Sequence, residues 1–155
     1  MPHNIFSRVL LSPIGPLTIV ANDTHLLRLR FGAFGNEDRT PLLKDAVFQL
    51  FEYFSGQRTS FTLPLHLNGT EFQQRVWSEL QKIPYGSSCS YLQLAQAVGS
   101  PKGFRAVGAA NKANPLPIFV PCHRVISSDG HLGGYVAGPG CKAFLLHLEG
   151  CNFTS

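Results

Sequence analysis

The residue types best suited to chemistry stand together in the stretch "FVPCHRVISSDG", residues 119–130, where Cys122 is followed at once by His123 and Arg124. A free thiol with a pKa of about 8.5 is only a few per cent thiolate at neutral pH. A nucleophile at this position therefore needs a base or a positive field. The four cysteines, at 89, 122, 141 and 151, form no CxxC pair, so the spacing of a structural zinc site is missing. The first 88 residues hold no cysteine and no export signal precedes them, which argues against a disulfide framework. Cys122 is left as either a buried core thiol or a reactive one.

Apolar residues flank the cysteine on both sides, and the segment is expected to be a buried extended strand or strand-like turn. Successive side chains of a strand point to opposite faces, so a direct Cys122-His123 pair is disfavoured and a water bridge between them is the remaining route. Glu149 falls at the end of a helix expected to start near Gly138 and Pro139. A carboxylate there opposes the helix dipole, and a partner such as His123 would account for it. A Cys, His, Glu set of this kind could orient the imidazole and deprotonate the thiol.

The elements that must position these groups are partly readable. "PLTIVAN" and "HLLRLRF" alternate as strands around Asn22, Asp23 and Thr24 and predict a hairpin. "PLLKDAVFQLFEYFSG" predicts a helix with Leu43, Val47, Leu50, Phe51 and Phe54 inward and Gly56 as its stop, and "SFTLPLHL" predicts a return to strand. After "LNGT", Thr70 with Gln73 and Ser90 with Gln93 match the capping box and predict two helix starts. The first helix places Phe72, Val76, Trp77 and Leu80 inward. The second places Tyr91, Leu94, Ala95 and Val98 on one stripe and stops at Gly99. Ser100 and Pro101 predict the start of a third, running to about Ala113. The reading is an α/β (α+β) chain: a small strand-and-helix domain over residues 1–66, then a mainly helical domain over 67–155 containing a helix-turn-helix.

On the third helix Lys102, Arg105, Ala109 and Lys112 share one face, and Phe104, Val107 and Gly108 another. The basic face, lined by the small Ala106, Ala109 and Ala113, suits close approach to nucleic acid, or equally a solvated helix surface. The net charge is +4, and residues 70–155 carry seven Lys/Arg against four Asp/Glu. Between Glu79 and Asp129 there is no acidic residue. With no apolar run near the ~20 residues of a membrane span and no signal peptide in "MPHNIFSRVL", a cytoplasmic protein without a membrane partner is expected.

Taken in order, "TEFQQRVW", "IPYG", "SYLQLA", "FRAVGAANKANP", "VPCHRVI", "GGY" and "KAFLLHLEG" cover residues 70–150. This concatenation closely resembles the O6-alkylguanine-DNA alkyltransferases, the methylated-DNA-protein-cysteine methyltransferases. The first domain resembles theirs in strand and helix order, less strongly. The resemblance implies a single-turnover transfer of an alkyl group from O6 of guanine to Cys122, with His123 as water-mediated base, Glu149 orienting it and Asn114 tying the network to the helix-turn-helix. It further implies that Arg105 enters the base stack as the nucleotide is extruded, and that Tyr91 turns the phosphate and donates a hydrogen bond to the departing guanine. Lys102, Ala106, Ala109 and Lys112 would complete the DNA-facing helix, and Val125, Tyr135, Val136 and Ala137 the base pocket. The implied partner is double-stranded DNA carrying O6-alkylguanine, bound through the minor groove by a monomer.

Two departures matter. Where the family has a small residue and then Gly-Gly after "GGY", this chain has Val136, Ala137 and Gly138, which predicts slower reaction with bulky adducts. Some members hold zinc in the first domain through cysteines and histidines. This one has no cysteine there, so neither metal nor other cofactor is expected. The competing readings are a lesion sensor that binds without transfer, set back by the presence of Cys122, and a thiol hydrolase using Cys122 and His123.

Overall fold

The computed structural model describes residues 4–154; residues 1–3, the first of the predicted domain ends, and residue 155, the last, lie outside the description. The chain forms two compact units, Met1–Leu67 and Asn68–Ser155.

The first unit is an antiparallel sheet in the order β1-β2-β3 with one helix against it. β2 (Gly15–Ala21) and β3 (Leu26–Phe31) are the expected hairpin. Its loop is held by Asn22, whose side-chain oxygen accepts from the backbone of Thr24 and His25. β1 (Phe6–Ser12) pairs with β2 along its whole length and was not foreseen. As an edge strand it is half-buried at almost every position, so no two-residue alternation marks it. The strand expected in "SFTLPLHL" reduces to a bridge between Leu26 and Leu65. Pro64 lends only its carbonyl there, because it has no N–H for a ladder.

The helix α1 (Pro41–Phe54) is capped by Thr40 and followed by Gly56 at φ +78°. It buries Leu43, Ala46, Leu50 and Tyr53, while Phe51 of the expected stripe is 68% exposed. Both stripes have helical spacing. The rotation is fixed by buried Gln49, which donates to Asp45 and Thr62 and accepts from the Thr62 backbone.

In the second unit, α2 (Glu71–Leu80) and α3 (Tyr91–Ala97) both start at the predicted capping boxes, with Thr70-Gln73 and Ser90-Gln93 bonded reciprocally. α2 buries Val76, Trp77 and Leu80. The Trp77 indole donates to the Ala110 carbonyl at 2.8 Å, locking α2 onto α4 (Phe104–Lys112). α3 and α4 pack together as the helix-turn-helix. α4 begins later than Ser100-Pro101 suggested. Residues Ser100 to Gly103 form a turn closed by the Gly103 N–H on the Ser100 carbonyl at 2.8 Å. Serine first, proline second and glycine fourth favour that turn over a helix start. A short parallel pairing of β4 (Cys89–Ser90) with β5 (Val125–Ile126) then brings the start of α3 beside the residues after Cys122, and α5 (Pro139–Leu148) closes the unit.

Candidate active site

Cys122 does not lie in a strand. Residues Cys122–Arg124 form one turn of 3-10 helix ahead of β5. Two asparagines from the end of α4 hold that turn. Asn114 donates to the Val120 carbonyl at 2.8 Å and accepts from the Leu116 N–H, and Asn111 donates to the Cys122 carbonyl at 3.2 Å. The approach from α4 carries Ile118 at φ +76°, buried, a backbone conformation that β-branched residues rarely adopt. The segment is a turn rather than a strand because local backbone bonds and two asparagine side chains, not a ladder, satisfy it, and periodicity carries no signal of that.

The thiol is 2% exposed. Burial pushes it up to about 11, against the opposing pull of the Asn114 hydrogen bond and the Lys142 charge. The resting site therefore holds a protonated thiol, and a base must act before the sulfur can attack. His123 is fully buried next to it in sequence, with Nε2 2.7 Å from Glu149 Oε2. Burial lowers the imidazole's pKa more than the carboxylate restores it, so the ring is neutral at pH 7. A neutral ring that donates Nε2–H to Glu149 keeps Nδ1 as an acceptor. Nδ1 is buried and has no hydrogen-bond partner among the described residues.

Glu149 was expected to need a partner, and Arg124 joins His123 in that role. Arg124 donates through Nε to Oε1 at 2.7 Å and through Nη2 to Oε2 at 3.0 Å, and its Nη1 donates to the Ile83 carbonyl at 2.6 Å. This bidentate pair fixes the carboxylate that orients His123. Sequence reasoning passed over Arg124 because adjacency to Cys122 suggested chemistry rather than support.

Lys142 was missed as well. It is fully buried, its ammonium donating to the carbonyls of Val125 and Gly134, and burial lowers it to about 8. Lys142 is the one lysine of α5 and is buried with the apolar Leu145 and Leu146. The Gly134 carbonyl also accepts from the Tyr91 hydroxyl at 3.3 Å. Gly133 is at φ +74°, where an added Cβ would meet the Tyr91 ring. Tyr91, Lys142 and the Gly133-Gly134 loop are thus one assembly. Val125 and Tyr135 are buried in it, whereas Val136 and Ala137 lie in the turn before Gly138, with Val136 exposed.

On α4 the structure places Arg105, Ala106, Ala109 and Lys112 on the exposed side and Val107, Ala110 and Asn111 inward, while Lys102, expected on the same helix face, is exposed in the turn before the helix. Phe104, expected to face inward with Val107, is 53% exposed. The late start of the helix leaves Phe104 as its first residue, with no helical turn before it. The helix-turn-helix and the cysteine turn are joined physically through Asn111 and Asn114. Chemically the site can transfer a group to sulfur: a neutral base on a fixed carboxylate, a buried thiol, and a cation that favours the thiolate.

All four cysteines are free thiols. Among the described residues no cluster of three or more His, Cys, Asp or Glu is placed to hold a metal ion, and no helix is long and apolar enough to cross a membrane.

Two family models match the chain. Residues 5–67 match the ribonuclease-like domain of 6-O-methylguanine DNA methyltransferase, and residues 71–151 match its DNA binding domain. The constitutive methylated-DNA-protein-cysteine methyltransferase of Bacillus subtilis is 47% identical, covering 92% of this chain and 93% of its own. That of Methanosarcina barkeri is 44% identical, covering 91% and 94%. Among solved structures, Mycobacterium tuberculosis OGT in complex with DNA superposes with a TM-score of 0.86 at 45% identity, over 93% of this chain and 92% of that one.

Proposed function

The chain belongs to the 6-O-methylguanine DNA methyltransferase family over both of its units, and from that premise we propose that it repairs O6-alkylguanine in duplex DNA by moving the alkyl group onto Cys122. The observation that carries the reading is the buried relay behind the cysteine, in which Glu149 accepts from His123 and leaves Nδ1 as the acceptor. The thiol proton passes through one water to Nδ1, the sulfur attacks the alkyl carbon, and the carbon–O6 bond breaks. The electron pair stays on guanine, to which Tyr91 donates a hydrogen bond; the guanine takes one proton from solvent and the imidazolium returns the thiol's proton to solvent, so the step balances. A thioether is not readily cleaved, so each molecule acts once.

Reaching O6 requires the nucleotide to leave the stack, at a cost of a few kcal/mol. Arg105, exposed on α4, fills the space, and Lys102 and Lys112 hold the phosphates while Ala106 and Ala109 let the helix backbone come close in the minor groove. The protein acts as a monomer in the compartment that holds the DNA, without a cofactor. The sensor reading is not favoured, because Cys122 and its relay are complete. Val136 and Ala137, in the turn beside Tyr135, make the pocket wall stiffer than a small residue followed by glycine would. Ala137→Gly should therefore raise the rate on O6-benzylguanine relative to O6-methylguanine; an unchanged ratio removes that role.

The deciding experiment incubates the protein with a duplex oligonucleotide carrying O6-methylguanine, followed by peptide mass spectrometry. One methyl group on the peptide holding Cys122, with no second turnover, is expected. An unmodified peptide with tight lesion binding would mean a sensor, and turnover of a small ester would mean a hydrolase.

A further inference from the structure

Phe104 opens α4 with its ring 53% exposed, although phenylalanine is among the residues most often buried. Its position on the helix is specific. Phe104, Gly108 and Lys112 fall at i, i+4 and i+8, one row along the helix. A Cβ built on Gly108 would meet nothing within 4 Å, so the backbone in the middle of that row is bare to its surroundings. At the far end the Lys112 stem lies against Gly134, where a Cβ would come within 2.9 Å of Lys112 Cε. Gly134 is the residue whose carbonyl takes hydrogen bonds from Tyr91 and Lys142. The row thus runs from the rim of the candidate pocket to an exposed aromatic ring, and Arg105 stands next to that ring around the helix.

A flat apolar ring between Lys102 and Arg105 matches the chemistry of an opened duplex, where unstacked base faces are flat and apolar and the phosphates around them are anionic. Resting on the repair reading above, we infer that Phe104 is a second wedge: its ring packs on a base or deoxyribose uncovered beside the extruded nucleotide, while Arg105 occupies the gap itself. Phe104 touches neither the thiol relay nor the alkyl group. It is a positioning residue whose effect is confined to substrates in which a stack must be opened.

The test compares the rate of methyl transfer from duplex O6-methylguanine with that from the free O6-methylguanine base, in full-length protein. Phe104→Ala should lower the duplex-to-base ratio about tenfold, the size expected for losing one aromatic-base stack. Phe104→Trp should restore the ratio, and its indole emission should be quenched on the lesion duplex. Trp77, buried and bonded to the Ala110 carbonyl, supplies a background measured in the parent protein. An unchanged ratio in Phe104→Ala, equal losses on both substrates, or an unquenched indole during repair would overturn the wedge. A parent protein that takes methyl from neither substrate would instead defeat the repair reading beneath it.

Discussion

At Glu149 a buried carboxylate serves both a histidine and an arginine. His123 uses it as an orienting acceptor, and Arg124 as the counter-charge of a bidentate pair. Removing one member of a buried pair leaves an uncompensated charge, which costs about 3–5 kcal/mol. Arg124→Met should lose that much in denaturant unfolding of the full chain. The Arg124 charge also helps to hold the imidazole below its ordinary 6.5, so the same variant should move the acid limb of the transfer rate to higher pH. A depressed histidine further ties stability to pH. The unfolded chain protonates near 6.5 and the folded site resists, so the stability is complete above that value and is lost as pH falls below it. Unfolding at pH 7 and pH 5 should differ, with a slope of at most about 1.4 kcal/mol per pH unit from this group. His123→Gln should remove that part of the slope; an unaltered slope would show that another group carries it.

Elements were legible where their signals are local. Both capping boxes, the stop at Gly56 and the hairpin around Asn22 are written within four residues, and each formed as expected. The strand β1 depends on pairing with β2 that its own evenly half-buried pattern does not announce, the 3-10 turn at Cys122 on side-chain bonds from Asn111 and Asn114, and the ammonium of Lys142 on the carbonyls of Val125 and Gly134. No periodicity encodes those. The exposure of Phe104 was missed because the helix start was set three residues early. The caps also make a prediction. Losing a Ser or Thr cap costs about 1 kcal/mol, so Thr70→Ala and Ser90→Ala should destabilise by similar amounts in thermal unfolding. Their activities should differ, because Ser90 directly precedes Tyr91 and belongs to β4, which pairs with β5 two residues after the histidine. Ser90→Ala should slow duplex repair several-fold and Thr70→Ala should not. Equal activities would detach the start of α3 from the positioning of Tyr91.

For the whole molecule the net charge of +4 is small, and its placement decides what it does. Of the acids in the second unit, Glu79 pairs with Lys82 at 2.8 Å and Glu149 is buried against Arg124. Lys102 in the turn before α4, and Arg105 and Lys112 on it, form no ion pair among the described residues, so their field is unopposed locally. Duplex binding through such a face displaces counterions, and the logarithm of the affinity falls by about 0.9 per phosphate contact for each tenfold rise in salt. Three contacts predict a slope of about −2 to −3, measured by anisotropy of a labelled duplex between roughly 50 and 200 mM salt. Lys102→Ala and Lys112→Ala should each reduce the slope by about 1 and weaken lesion and plain duplex alike. Arg105→Ala should do the same and also slow repair in duplex more than reaction with the free base, because only there would the proposed side-chain replacement of an extruded nucleotide operate. A slope unaffected by all three substitutions would move the DNA-binding face away from α4, and the wedge assigned to Phe104 would move with it.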